Sequence, residues 1–142
     1  MRSHVNLSHI VRTCGCFGIA RVIATGTARL DEKIARDGAD HVVLEVHRSL
    51  PPVLDRLRAQ GYEIVGLEQA TGSTPLYTFD FAPRTVLVVG NERAGLEDDV
   101  LCRLDRVAEI PLAGLPHSLN AATSASIAIY EYCRQVPRRA DL

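Results

Sequence analysis

The 142-residue chain has no apolar run near the roughly 20 residues that a membrane-spanning helix needs, so no membrane partner is expected. Its first residues, MRSHVNLSHIV, contain no long apolar core of a secretion signal. It has four cysteines, Cys14, Cys16, Cys102 and Cys133, and no Cys-x-x-Cys pair. Nothing therefore suggests an oxidised scaffold, and a reducing cytoplasm is the expected setting. Cys14 and Cys16 stand two apart on an expected helix, so their side chains diverge; adding His4 and His9 does not repair the spacing, and no metal is expected. There is no Gly-Lys-Ser/Thr phosphate loop and no Gly-x-Gly-x-x-Gly fingerprint, which leaves an ordinary dinucleotide fold unsupported. No Ser/His/Asp order or paired-carboxylate signature stands out. The net charge of -1 creates no global basic field. That speaks only weakly against nucleic acid, because a local basic patch suffices. Repeats, low-complexity tracts and linkers are absent too, so residues 1–142 read as one compact domain.

What is present suits a soluble core: hydrophobic residues make up 46% and charged residues 23%. Val5 to Phe17 reads as a helix that Asn6 can cap and Gly18 can end. Arg21 to Thr25 is a β-branched strand, Leu30 to Arg36 a short helix, His41 to Val46 a strand. Pro51 to Gln60 is a helix with proline at its start and Gly61 just past its end. Glu63 to Leu67 is a strand, Gln69 to Pro83 a polar connection. Thr85 to Val89 (TVLVV) is a strand without alternation, as expected of one buried on both faces. Leu96 to Arg103 is a short helix and Val107 to Ile110 a last strand. The final helix, running to Gln135, has almost no charge before Glu131 and Arg134. It is expected to be buried on several sides, in the core, against a partner subunit, or both. Strands alternating with helices predict an α/β fold, a parallel sheet with helices on both faces.

Such sheets bind ligands beyond the carboxyl ends of their strands. Two loops have that position. Gly90-Asn91-Glu92-Arg93-Ala94-Gly95 follows the buried strand, with two glycines that permit a sharp turn or a close approach. Taken alone it reads first as a plain turn with a solvated Glu92. The second loop, Ile110 to Asn120, feeds the last helix and offers backbone N–H groups, with Ser118 and Asn120 as capping residues. The opening helix adds Asn6, Ser8, His9 and Arg12; Asn6, His9 and Arg12, spaced by three, are expected to share a face that could grip phosphate or ribose.

In order along the chain, VNLSHIVRTCGCFG (5–18), LVVGNERAGLEDDVL (87–101) and IPLAGLPHSLNAATSASIAIYEYCRQ (110–135) resemble the three motifs of the SpoU (TrmH-type) RNA 2′-O-ribose methyltransferases. The resemblance covers nearly the whole chain. It implies a domain of the SPOUT class, with a deep trefoil knot near the C-terminus that forms the pocket for S-adenosylmethionine, and a homodimer with the site near the subunit interface. It implies RNA as the partner, tRNA slightly ahead of rRNA. Carried over by residue, Asn6, Arg12, Glu92 and Asn120 become the catalytic candidates. Gly90, Asn91, Glu92, Gly95, Ile110, Leu112, Ser118 and Leu119 become the cofactor-binding ones. Arg12 is expected to stabilise the developing alkoxide and an adjacent phosphate, or to be the base itself. The chain starts almost inside the first motif, so any strand or RNA-binding extension that precedes it in larger relatives is expected to be absent or truncated. Only Arg134, Arg138 and Arg139 stand for a basic tail, and Pro116-His117 is an unusual approach to Ser118. The alternatives are a homologue that binds the cofactor or RNA without catalysis, and a flavodoxin-like binding module.

Overall fold

The computed structural model describes residues 3–137; Arg138 and Arg139 lie outside them. Among the described residues six helices and six strands follow in this order: α1 His4–Phe17, β1 Arg21–Thr25, α2 Glu32–Ala35, α3 Gly38–His41, β2 Val43–His47, α4 Pro51–Ala59, β3 Glu63–Leu67, β4 Thr74–Pro75, β5 Thr85–Val89, α5 Asp98–Leu101, β6 Arg106–Glu109 and α6 Ala121–Gln135. A single 3₁₀ turn, Leu76–Thr78, follows β4. All strand pairs are parallel, as the alternation of elements predicts.

The strands form two sheets rather than one. β1 pairs with β2, and a second sheet has the order β4-β6-β3-β5. Between β1 and β5 lies a cavity of about 1090 Å³, walled by Val22, Ile23 and Ala24 on one side and Val86, Leu87 and Val88 on the other. Both walls are strand edges, so their backbone groups on that side find no ladder. The expectation of a single sheet fails at this seam.

Helices cover both faces, and the side chains of β5 show it by alternation. Leu87 and Val89 pack on a cluster built by α1 and α6 from Leu7, Ile10, Val11, Ala122, Ala125 and Ile129. Val86 and Val88 pack on one built by α4 and α5 from Val53, Leu54, Leu57 and Val100. A strand with apolar contacts above and below has no polar face to alternate, which explains the TVLVV run. A third cluster joins β3 and β6 to Leu76, Phe79 and Phe81, under Ala128 of α6.

Several local expectations shift by a residue or a turn. Ser3, not Asn6, caps α1: its side chain accepts the Asn6 N–H, and Gly18 closes the helix at φ 70°. Asp31 caps α2. His41 ends α3 rather than opening β2, which runs one residue further, to His47. The last long helix is amphipathic within the chain. Ala122, Ala125, Ala128 and Ile129 are buried, while Ile127 and Tyr130 are 40% and 58% exposed. Burial on several sides is thus not achieved by this chain alone.

Gly15, in the middle of α1, has a packing reason. A Cβ there would stand 2.8 Å from Cα of Gly38, and a Cβ on Gly38 would stand 2.9 Å from Cα of Arg12. The two glycines let α1 and the start of α3 touch backbone to backbone. Gly15→Ala would gain about 1 kcal/mol of helix propensity, but overpacking against backbone typically costs about 1–3 kcal/mol. The expected result is a lower midpoint in urea with an unchanged slope. A raised midpoint would show that the two elements can separate freely.

Candidate active site

Because β3, β5 and β6 are parallel neighbours, their carboxyl ends share one rim. Leu67 leads into Glu68, Val89 into Gly90, Glu109 into Ile110. The two loops singled out in the sequence converge there around a cavity of about 430 Å³, within the range of small-ligand sites. Gly90, Asn91, Glu92, Gly95, Ile110, Leu112, Ser118 and Leu119 all line it, as does Asn120. The larger cavity at the seam is walled by strand edges and contains no residue of either loop.

The first loop folds on itself. Asn91 N–H donates to the Gly95 carbonyl at 3.2 Å, and Gly95 N–H returns to the Asn91 carbonyl at 3.1 Å. The Asn91 side chain accepts from the N–H groups of Arg93 and Ala94 at 2.9 and 2.7 Å. An Asx turn of this kind is what asparagine supplies at low cost. Gly95 sits at φ 65°, the left-handed region that favours glycine.

A hydrogen-bonded row ties the two loops to the opening helix. Asn6 Nδ2 donates to Glu92 Oε1. Asn120 Nδ2 donates to Asn6 Oδ1 at 3.1 Å. Asn120 Oδ1 in turn accepts from the N–H groups of Ala122 and Thr123 at 2.9 and 3.3 Å, which makes Asn120, not Ser118, the cap of α6. Ser118 is exposed at the mouth instead. The approach to it includes a cis Leu115–Pro116 bond.

Burial pushes the Glu92 carboxyl up, but the Asn6 hydrogen bond, its own backbone N–H and Arg93 together hold it below the ordinary 4.5. The sign follows from that direction. With the folded value depressed, the contribution of the charged network is complete above the unfolded value and is lost as pH falls through the folded one. A carboxyl-carbon NMR titration is expected to place Glu92 below exposed glutamates, and Asn6→Leu to return it towards them. A Glu92 that titrates with the rest in the parent protein would remove this network.

The polar row expected on α1 is not a row. Asn6 is buried in the network. Ser8 is fully buried and structural: its Oγ donates to the His4 carbonyl at 2.6 Å and accepts from Asp31 N–H at 2.8 Å. His9 and Arg12 are exposed. Arg12 lies about 9 Å along the helix from Asn6, at 1.5 Å per residue, and does not line the cavity. Among the described residues, no three His, Cys, Asp or Glu side chains meet as a metal cluster, and burial pushes the Cys14 thiol up to about 12, with Cys133 adding to the effect.

A sequence profile described as the SpoU rRNA methylase family matches residues 1–130. The chain belongs to that family. It is 32% identical over 139 residues to the 23S rRNA (guanosine-2′-O-)-methyltransferase RlmB of Acinetobacter baylyi, covering 92% of this chain and 55% of that protein. It is 30% identical to the tRNA (guanosine(18)-2′-O)-methyltransferase of Aquifex aeolicus, covering 95% and 66%. The crystal structure of the A. aeolicus TrmH/SpoU tRNA modifying enzyme superposes with a TM-score of 0.89 at 29% identity, over 95% of this chain and 71% of that one. The SpoU methyltransferase AviRb of Streptomyces viridochromogenes, in complex with AdoMet, superposes at 0.81 with 31% identity, over 94% and 56%. The SpoU chain thus spans between about half and two thirds of the length of these two curated relatives. The match sets the flavodoxin-like alternative aside.

Within the SpoU domain, sequence reasoning missed Glu68 and Gln69 at the cavity. They follow a strand end beside the two loops, so the position rule for parallel sheets could have found them. Glu68 precedes and Gln69 opens the polar connection, which carried no other signal. No described helix is long and apolar enough to cross a membrane.

Proposed function

We propose that this protein is an S-adenosylmethionine-dependent methyltransferase acting on a ribose 2′-hydroxyl of structured RNA, with tRNA slightly favoured over rRNA. The observation that carries the reading is the convergence of both loops on one cavity of about 430 Å³, with Asn6 bonded to both Glu92 and Asn120 of its wall. The cavity fits the cofactor by its chemistry. Ile110, Leu112 and Leu119 offer apolar surface, Gly90 and Gly95 admit close backbone approach, and among the described residues the charged side chains on its walls are carboxylates, suited to a cation.

When bound, S-adenosylmethionine supplies an electrophilic methyl group on a sulfonium. The protein must then hold a ribose oxygen in line and stabilise the charge that grows on it. We assign that role to Arg12, whose guanidinium offers donors and no acceptor. Asn6, Glu92 and Asn120 hold the loops and α1 in one frame.

Two finer features belong to the same proposal. One is the C-terminal trefoil knot; what supports it is that the chain leaves β5, crosses beyond β3 to lay β6 next to β4, and returns as α6 against α1. The other is a homodimer, supported by the apolar side chains Phe17, Ile127 and Tyr130, which are 36%, 40% and 58% exposed on α1 and α6. Arg12, exposed on α1, would then serve a site completed at the interface.

The test is tritiated methyl transfer to total tRNA and rRNA, followed by nucleoside analysis, with calorimetry against S-adenosylmethionine and S-adenosylhomocysteine. Label in a 2′-O-methylnucleoside is expected. Heat of binding without transfer would leave a cofactor-binding homologue, and no heat at all would remove the methyl-donor reading.

A further inference from the structure

We propose that Glu68 reads the positive charge of the methyl donor, so that the pocket holds the sulfonium form more tightly than the thioether left after transfer. The inference rests on the methyl-donor reading of the cavity and assigns a role to a residue that the loop motifs do not contain.

Among the described residues, two charged side chains line the cavity, Glu68 and Glu92, and no Lys, Arg or His does. Glu92 is turned to Asn6 and serves the frame. Glu68 stands between the two loops. Its N–H donates to the Ala108 carbonyl at 3.0 Å, just before the second loop. Its Oε2 accepts from Leu96 N–H at 3.2 Å, just after the first. Gly95 leaves room for that oxygen: a Cβ there would come within 2.6 Å of it. The other oxygen, Oε1, accepts only from Gln69 N–H, at a long 3.3 Å. None of the ion pairs among the described residues involves Glu68. The carboxylate is therefore half-buried, fixed by one oxygen, and without a counter-ion among the described residues.

A fixed negative charge in a concave site favours a cationic ligand over a neutral one of the same shape. Methyl transfer changes that charge. It breaks the sulfonium C–S bond, leaves the electron pair on sulfur, forms a C–O bond to the ribose and releases the hydroxyl proton to water. The site thus loses its electrostatic hold on the sulfur at the moment the product must leave.

The experiment is isothermal titration of the full chain with S-adenosylmethionine and, separately, S-adenosylhomocysteine, read as the ratio of the two affinities. Glu68→Gln keeps the size of the side chain and an acceptor for Leu96 N–H while removing the charge. It is expected to weaken S-adenosylmethionine about tenfold, the effect of about 1.4 kcal/mol, and S-adenosylhomocysteine by less than about twofold. Glu68→Asp, which keeps the charge, is expected to preserve the ratio even where both affinities fall. If Glu68 only props the Leu96 turn, Glu68→Gln weakens both ligands in step; an unchanged ratio overturns the inference. Binding of neither ligand by the parent protein would overturn the methyl-donor reading along with it.

Discussion

Replacement of Arg12 by alanine is expected to lower methyl transfer about 10²–10³-fold, the usual effect of removing one preorganised donor from a developing oxyanion. The affinity for S-adenosylmethionine is expected to stay within about twofold of the parent, since ligand contacts distant from a site contribute little to it. The split follows from position. Arg12 is on the exposed side of α1 and lines no part of the 430 Å³ cavity, so it is not expected to touch a cofactor held there. No hydrogen bond or ion pair with another described residue occupies its guanidinium, so folding does not need it either. What remains is a ligand outside the chain, and an anionic oxygen suits it. Arg12→Lys keeps a point charge but loses the planar fork, and is expected to recover only part of the rate. Single-turnover transfer with labelled cofactor separates binding from chemistry; a near-normal rate in Arg12→Ala would sink the assignment.

The second large effect is expected from Gly90→Ala. A Cβ at this position would stand 2.5 Å from the carbonyl carbon of Gly95, 2.8 Å from its oxygen and 2.9 Å from its Cα. All three are backbone atoms, so no rotamer can give way. The paired hydrogen bonds between Asn91 and Gly95 must break, and Asn91, Glu92 and Gly95 leave the cavity wall together. Overpacking of this kind costs about 1–3 kcal/mol, and cofactor affinity is expected to fall by more than about tenfold. Because the loop lies outside the three apolar clusters, circular dichroism of the variant is expected to match the parent. Unchanged cofactor affinity would show that this loop does not form the binding wall.

The residues that were easiest to place from sequence are those whose role is local. Proline at the start of α4 and glycine just after it bracket that helix by backbone geometry alone. The Val-rich run of β5 declares burial on both faces because neither face needs a polar residue. Asn6 shows the limit. Read locally it is a helix cap, but Ser3 takes that role and Asn6 turns to Glu92 and Asn120, 86 and 114 residues away in sequence. Ser8, one of the polar residues that the opening helix offers, is a buried link between α1 and Asp31. Side chains that satisfy distant backbone or side-chain groups leave no local signature.

The sequence by itself determined the α/β alternation, the strand that carries the first loop, and the membership of both loops in one family pattern. The first two are set by short-range chemistry, periodicity, caps and glycine where the backbone must turn; the third rests on the resemblance of ordered motifs. The tertiary structure decided the rest. It divided the strands into two sheets, put Glu68 between the loops, took Asn6 inward and left Arg12 outside. These outcomes depend on which parallel strands pair and where their ends meet, and pairing energy comes from groups far apart in the chain, so only the folded arrangement can express it.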